Sequence, residues 1–471
     1  MSQKNETPVL IVSLLITAAL LGAGFWLFGK NLGLGGGAPN PSIGANSGPS
    51  AENIPILDRI SQGSRWIVSS DGSPERQAAV GAIANQDYTK AIADLSTSLA
   101  QQRNDPEALI YLNNARIGDQ PAYTIAVAVP VYSDVNGSLE ILRGVAQAQN
   151  DLNQAGGING MSLRVAIARD DNNPEIARQL ATALTADRNI LGVVGHYASD
   201  VTLAAATIYE ASKLVTISPV STSVKLSGFG QYIFRSVPSD FVAARSLADY
   251  MLNRQQQQSA AVFFNSQSGY SQSIKSEFVS ALSLGGGRVV SEFDLAAATF
   301  SPETSLNQAT QQGATVLAMF PNSGQLDRAL QVIQANQGRL KLLGGDDVYA
   351  PKTLEVGKTA AVGMVLAVPW HILANTQTPF VTTSRQLWGG DVNWRTATAY
   401  DATQALIEAL RRNPTRDGIQ QALHAPDFTT PGASNPVQFL PSGDRNQPVQ
   451  LVEIKPGTRS GFGFDFYPVQ K

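Results

Sequence analysis

The sequence contains no cysteine in its 471 residues. Disulfide bonds, thiol nucleophiles, thiolate zinc sites and lipid attachment through an N-terminal cysteine are therefore excluded. Histidine is nearly as scarce, because only His196, His371 and His424 are present and they lie far apart with no metal-ligand spacing. A metal enzyme is disfavoured, and a serine-histidine catalyst would need residues that are distant in the sequence to converge. We expect no metal and no cofactor.

Charge is also sparse. Charged residues make up 15% of the chain, and 34 basic against 37 acidic residues leave a net charge of −3. An average soluble protein has roughly 25% charged residues. Because there is no positive excess to attract a phosphate backbone, a nucleic-acid-binding protein is disfavoured. At about 100 to 200 residues per domain, the length predicts two or three domains.

The first 30 residues contain one long apolar segment, with no charged residue from Thr7 to Gly29. About 22 helical residues span roughly 33 Å, enough for the core of a bilayer. We expect residues 1–30 to be a single-pass anchor in the bacterial cytoplasmic membrane, with the main domain outside. A cleaved signal peptide is the alternative, although its apolar region is normally shorter. Residues 31–50, rich in glycine, proline, serine and asparagine, predict a flexible linker.

Residues 51–120 predict a small helical module. Residues 75–84 and 89–102 have helical character, and apolar residues recur at three- and four-residue spacing in the second stretch. Asp105-Pro106 then opens a third helix, because proline is well tolerated in a first turn. The stretch resembles one tetratricopeptide repeat. Two interpretations remain open: a hairpin that packs on the main domain, and a module that docks another protein.

After the helical module, short apolar runs rich in β-branched residues alternate with segments that have apolar residues at helical spacing. Alternation of this kind predicts parallel sheets covered by helices. Because it occurs in two series, the sequence predicts an α/β protein with two lobes in residues 121–471. We expect the first lobe to comprise residues 121–237 and 364–445, and the second to comprise residues 238–363 and 446–471.

Three loops at the ends of predicted strands carry polar groups. In open α/β sheets, ligands bind outside the carboxyl ends of the strands, where helix N-termini present unpaired N–H groups. Residues 195–200 and 218–223 offer small hydroxyl groups that suit a ligand carboxylate. Residues 344–349 contain two adjacent carboxylates, Asp346 and Asp347, which could bind a metal, act as acid and base, or hold an ammonium group. The alternative is local structure, since these residue types are also common in helix caps and turns.

Seven short stretches, in order from residue 123 to the C-terminus, resemble the extracytoplasmic Leu/Ile/Val-binding type of solute receptor for ABC transporters, also called type I periplasmic binding proteins. The stretches are Gly156-Gly157-Ile158-Asn159-Gly160, Asp170-Asp171 with Pro174, Gly195-His196, Ile208-Tyr209-Glu210, Ile217-Ser218-Pro219, Gly344-Gly345-Asp346 and Tyr400-Asp401-Ala402. The resemblance implies two hinged Rossmann-like lobes that trap an amino acid between them.

The resemblance also implies which polar residues bind the ligand. Ser199, Ser221 and Thr222 correspond to the positions that bind the carboxylate. Asp346 corresponds to the acidic residue that holds the α-ammonium group, although it is shorter than the glutamate common in that family. Asp200 is a further departure, because it places a negative charge beside the expected carboxylate site.

Aromatic positions of the same pocket correspond to Tyr270 and Phe320, and Tyr197 is a further candidate for the pocket wall. The implied function is an anchored receptor that delivers an amino acid or a related small molecule to the permease of an ABC importer. A ligand sensor that signals to a membrane partner is the alternative. An enzyme that uses Asp346 and Asp347 is the least favoured interpretation, because no positioned nucleophile or phosphate loop accompanies them.

Overall fold

The computed structural model describes residues 54–68 and 71–470, in which two sheets define two α/β lobes. The expected anchor, residues 1–30, and the expected linker, residues 31–50, lie outside the described residues. Within the part of the chain that the structure describes, no helix is long and apolar enough to cross a membrane.

The helices expected in residues 51–120 are present. Each begins with a side-chain cap, since Ser73, Asp87 and Asp105 accept first-turn N–H groups. The elements are a 3₁₀ turn (Ile56–Arg59), β1 (Ile60–Ser61), α1 (Pro74–Ala84), α2 (Tyr88–Gln101) and α3 (Pro106–Ile117).

These helices do not form a separate module, contrary to the expected domain division. Eleven of the twelve residues of α3 are buried, including Glu107 and Asn114. A helix that is apolar around most of its circumference packs in the interior of a protein. Helix α3 packs on the first lobe, and residues 54–470 belong to one compact unit. The segment from residue 54 to 121 is therefore part of the first lobe.

The first lobe contains a six-stranded sheet in the order β1-β3-β2-β4-β5-β6, in which only β1 is antiparallel to its neighbour. The last six residues of β2 are buried, as expected for a parallel strand covered on both faces. The elements are β2 (Ala122–Val129), α4 (Val135–Gln154), β3 (Ser162–Arg169), α5 (Pro174–Ala186), β4 (Ile190–Val194), α6 (Ser199–Ala211), β5 (Thr216–Ser218), a 3₁₀ turn (Val224–Leu226) and β6 (Ile233–Arg235).

The second lobe contains a seven-stranded sheet in the order β13-β12-β11-β10-β9-β7-β8, in which only β12 runs antiparallel to its neighbours, β11 and β13. Its first series is α7 (Asp240–Asp249), a π turn (Tyr250–Arg254), β7 (Ser259–Phe264), α8 (Gly269–Leu284), β8 (Arg288–Asp294), α9 (Pro302–Gln311), β9 (Val316–Phe320), a 3₁₀ turn (Ser323–Gln325), α10 (Leu326–Asn336), β10 (Lys341–Gly344), a 3₁₀ turn (Asp346–Val348), α11 (Pro351–Gly357), a 3₁₀ turn (Lys358–Ala361) and β11 (Val365–Val368).

The chain then returns to the first lobe and crosses back once more. The remaining elements are a 3₁₀ turn (Ile372–Ala374), α12 (Pro379–Trp388), α13 (Trp394–Arg412), α14 (Arg416–His424), β12 (Gln450–Pro456) and β13 (Phe464–Pro468). The predicted return at residue 364 is too early, because β11 pairs with β10 and β12 in the second sheet. A short apolar strand does not reveal from its own sequence which of two sheets it joins.

The outer edge of β3 is closed by groups from three parts of the chain. Strand β1 pairs with residues 167 and 168. The side-chain amide of Asn114 bonds both backbone groups of Val165, at 2.8 Å and 3.1 Å. Asn153 does the same for Leu163, at 2.8 Å and 3.0 Å. Helices α3 and α4 are thereby joined to the sheet by hydrogen bonds as well as by apolar packing.

We expect Asn114→Ala to lower the free energy of unfolding by about 3 kcal/mol, because it leaves buried backbone groups of Val165 without partners. Urea-induced unfolding of the full chain measures the change. The matched control is Asn104→Ala, which removes an exposed side chain that contacts Arg143 and should change stability by less than about 0.5 kcal/mol. Equal unfolding midpoints for the two variants would contradict the role of Asn114.

Candidate functional site

A cavity of about 320 Å³ lies between the two lobes, at the carboxyl ends of their parallel strands. The first lobe contributes the loops that follow β3, β4 and β5. The second lobe contributes the loops that follow β7, β9 and β10. Each lobe therefore presents to the cavity the sheet edge at which open α/β sheets bind ligands.

Five of the seven predicted binding residues line this cavity. They are Tyr197, Ser199 and Ser221 on the first lobe and Tyr270 and Asp346 on the second. The loops 195–200, 218–223 and 344–349, which are distant in sequence, are thus brought to one site.

The other two predicted residues do not line the cavity. The ring of Phe320 is buried in the core of the second lobe, where it packs edge to face on Phe278 at 5.4 Å between ring centroids. Thr222 is buried, and its carbonyl accepts the backbone N–H of Asp240 at 2.8 Å. Neither residue is among those that line the cavity, so their roles in ligand binding stay predictions.

Helix α6 begins at the cavity without a side-chain cap. Its N-cap residue is Ala198, which has no side-chain oxygen to accept the first-turn N–H groups. These groups, together with the positive end of the helix dipole, favour an anion at this point. Ser199 Oγ accepts the N–H of Ser223 at 3.3 Å, which leaves its own proton free to donate into the cavity.

Ser221 is placed differently from Ser199. Its hydroxyl lies 2.7 Å from Thr202 Oγ1 and 3.0 Å from the carbonyl of Tyr197. Because both contacts lie inside the first lobe, this hydroxyl tightens the loop that carries Ser199. His196 supports the same loop from behind, since its ring contacts Asp170 at 2.6 Å and the Tyr209 hydroxyl at 3.0 Å.

Asp346 is one of two carboxylates of the second lobe that line the cavity, and its exposed fraction is 6%. Burial raises its pKa, the Tyr270 hydroxyl lowers it, and the negative charge of Asp240 raises it again. Asp240 is itself fully buried, and burial raises its pKa as well. When both carboxyl groups are ionised, a positively charged group bound beside them would offset their negative charge.

Asp347 forms an ion pair that crosses from one lobe to the other. Its Oδ1 lies 2.9 Å from a guanidinium nitrogen of Arg395, which is on α13 of the first lobe. The guanidinium also packs over the rings of Trp394 and Tyr197, at 4.3 Å and 5.6 Å from their centroids. Burial and the adjacent charge of Asp346 raise the pKa of Asp347, whereas Arg395 opposes this shift.

A second contact between the lobes involves Asp200. Its carboxylate accepts the backbone N–H of Gly269 at 2.7 Å, at the start of α8. Residue 269 must be small, because a Cβ there would lie 2.1 Å from Asp200 Oδ1. The carboxylate is thus stabilised by the N-terminus of a helix in the opposite lobe.

Several polar residues of the cavity were not predicted. Asn172, Gln267, Asn322 and Ser323 all line it. Asn172 follows β3 and Asn322 follows β9, so the rule that placed the other loops at strand ends could also have found these two. Arg395 carried no such signal, because it lies in the first turn of a long helix.

Comparison with known proteins assigns the fold to a family. A family model described as "Periplasmic binding protein" matches residues 122–460. The chain belongs to the periplasmic binding protein family. The expected resemblance to the Leu/Ile/Val-binding type is confirmed, and the predicted two-lobe α/β fold is confirmed with it.

Among curated relatives of this periplasmic binding protein, an "Amino acid binding protein" of Pseudomonas aeruginosa is 33% identical over 132 residues, which cover 27% of this chain and 35% of the relative. A "Leucine-specific-binding protein" of Salmonella typhimurium is 27% identical over 238 residues, which cover 50% and 63%. The crystal structure of a leucine-binding protein from Thermotoga maritima superposes with a TM-score of 0.64 at 20% identity, covering 74% of this chain and 98% of the other.

Replacement of Arg395 tests the ion pair between the lobes. Arg395→Met leaves the buried carboxylate of Asp347 without its cation, which destabilises a protein by about 3–5 kcal/mol. The pKa of Asp347 should then rise further. Below that pKa the carboxyl is protonated and no longer needs a cation, so the loss of stability is smaller there. We expect a larger drop in the free energy of unfolding at about pH 8 than at about pH 5, measured by urea denaturation.

The control for this variant is Arg385→Met, which breaks a half-exposed pair with Asp391 and should change stability by less than about 1 kcal/mol at either pH. A loss in Arg395→Met that is the same at both pH values would contradict a buried ionised Asp347.

Proposed function

We propose that this periplasmic binding protein is an extracytoplasmic receptor that traps an amino acid, or a related small molecule, and delivers it to the permease of an ABC importer. One observation carries the proposal. The uncapped start of α6 and Ser199 on one lobe lie across the same cavity from Asp346 on the other. A zwitterion whose carboxylate meets the first group and whose ammonium meets the second fits this arrangement. The relatives named for binding amino acids or leucine support the same ligand class.

The proposed mechanism is binding followed by closure, with no bond broken, so the protein is a receptor rather than an enzyme. A ligand that contacts both lobes stabilises the closed arrangement by its differential affinity for that state. The contacts Asp347–Arg395 and Asp200–Gly269 join the lobes beside the cavity, so they form together with ligand capture. The closed surface is then what the permease recognises.

The N-terminal segment completes the proposal. Residues 1–30 would anchor the receptor in the bacterial cytoplasmic membrane, with both lobes outside, and residues 31–50 would act as the tether. The absence of cysteine supports a helical anchor, because no lipidated cysteine is possible. The segment from residue 54 to 121, docked on the first lobe through α3, then joins the tether directly to the binding domain.

A second candidate is a ligand sensor that signals to a membrane partner. The segment from residue 54 to 121 favours this candidate, because it precedes the residues matched by the family model. Parts of its helices α1 and α2 are exposed and could contact a partner. Permease and ATPase genes beside the gene for this protein would favour the importer, whereas a kinase gene would favour the sensor.

The role of Asp346 is tested by Asp346→Asn, which keeps the volume of the side chain and removes its charge. Loss of one partner of a buried charge pair weakens binding by about 2–5 kcal/mol. The probe is the standard amino acid that most stabilises the wild-type chain in a thermal-shift screen. We therefore expect its affinity for Asp346→Asn, measured by calorimetry, to be at least about 30-fold weaker than for the wild type.

The control is Asp427→Asn, whose carboxyl is exposed and pairs with Arg412 outside the cavity. It should bind the same amino acid as tightly as the wild type does. Unchanged affinity in Asp346→Asn would rule out the ammonium-binding role, provided that its thermal unfolding resembles that of the wild type.

Binding should also depend on pH in a defined direction. Burial raises the pKa of Asp346 to about 6, and a bound ammonium group favours the ionised carboxylate and so lowers that pKa again. Affinity should therefore be highest above about pH 7 and fall as the pH decreases through 6, with proton release on binding near the pKa. Calorimetry in buffers of different ionisation enthalpy measures the released protons. Affinity that increases on acidification would contradict the assignment.

A further inference from the structure

The cavity has a pronounced charge imbalance. Three of its lining residues are acidic: Asp200 on the first lobe, and Asp346 and Asp347 on the second. Within the part of the chain that the structure describes, none of the lining residues is basic. A zwitterion with an apolar side chain has no net charge and would leave this imbalance in place.

Among the described residues, only one of the three carboxylates, Asp347, forms an ion pair, whereas Asp200 accepts a backbone N–H that carries no formal charge. Asp347 pairs with Arg395 at 2.9 Å, and Asp200 accepts the N–H of Gly269 at 2.7 Å. The Tyr270 hydroxyl, the charge of Arg395 and a backbone N–H lower the pKa of Asp346, but among the described residues no cation forms an ion pair with it. Positive charge is therefore lacking beside both Asp200 and Asp346.

A fourth carboxylate increases the imbalance. Asp240 is buried behind Asp346 and raises its pKa. The hydroxyls of Thr222 and Ser273 lower the pKa of Asp240, and Arg235 does so too, but Arg235 is engaged with Asp444 at 2.7 Å. Buried charges without an opposite charge are strongly disfavoured. A ligand with one positive charge in excess would offset this negative field.

The remainder of the lining is polar. Asn172, Gln267, Asn322 and Ser323 surround the space beyond Ser199 and Asp346. The Oδ1 atom of Asn172 is buried and has no hydrogen-bond partner among the described residues. A branched aliphatic side chain would displace water from these groups and would not replace the hydrogen bonds that they form with that water. An amine or guanidinium, which donates several hydrogen bonds, suits them.

We propose that the ligand is an amino acid with a basic side chain, whose carboxylate meets the start of α6, whose α-ammonium meets Asp346, and whose side-chain cation is stabilised by Asp200 and the polar wall. This inference rests on the proposed function, because it refines the ligand of the same cavity. A bound metal ion is a poorer fit for the negative charge, since no group of three or more acidic or histidine side chains in the described residues is placed to hold one.

Three related probes test the inference in calorimetry with the full chain in detergent micelles. L-lysine has both end groups, L-norleucine lacks the side-chain amine, and cadaverine lacks the carboxylate. We expect lysine to bind at least about 30-fold more tightly than norleucine, because a buried charge pair is lost, and at least about tenfold more tightly than cadaverine.

Asp200→Asn connects this preference to the first lobe. The variant keeps an oxygen that can accept the N–H of Gly269 and removes the negative charge. We expect the ratio of lysine to norleucine affinity to fall at least about fivefold in this variant. The exposed-site variant Asp427→Asn should keep the wild-type ratio.

Norleucine or leucine binding as tightly as lysine would overturn the inference and leave the proposed receptor function in place. Cadaverine binding as tightly as lysine would overturn the carboxylate site. Failure of every standard amino acid to bind would overturn both the inference and the amino acid receptor. An unchanged ratio in Asp200→Asn would remove Asp200 from the proposal.

Discussion

A parallel sheet collects the carboxyl ends of its strands at one edge, and in this protein two such edges face the same cavity. The rest of the site depends on this arrangement. Loops at strand ends carry the polar residues that regular strands exclude, and the helices that follow present their positive ends to the cavity. The start of α6 is left open by Ala198, whereas the start of α8 is occupied by Asp200 from the opposite lobe. One helix end is thus available to a ligand and the other holds the lobes together.

Much of this architecture was predictable from the sequence. The alternation of β-branched runs with helical spacing placed the strands and helices in order, and the strand-end rule placed the three loops at one site. Phe320 shows where such prediction stops. It is the last residue of β9, and the pleat directs its side chain into the core. Its carbonyl accepts the hydroxyl of Ser271 inside the second lobe, and only the loop that follows, with Asn322 and Ser323, lines the cavity. Residue type and chain position alone did not distinguish these two directions.

The N-terminal segment illustrates a different difficulty. The repeat-like pattern of α1 and α2 predicted a separate module. That pattern reflects only the packing of these two helices on each other and carries no information about their contacts with the rest of the chain. The sequence of α3 contained the contrary signal, since apolar residues occupy most of its circumference and such a helix needs cover on all sides. What the sequence did not show was the partner. The bonds from Asn114 to Val165 join residues 51 positions apart.

The closed outer edge of β3 also limits how copies of this protein can associate. A strand with free N–H and C=O groups is a template for pairing with a second chain, and proteins commonly cover or interrupt such edges. Here β1 and two side-chain amides occupy that position on the first lobe. In the second lobe the sheet ends at β8 and β13. Self-assembly through added strands, if provoked by crowding at a membrane surface or by partial unfolding, would therefore spare the β3 side of the first lobe.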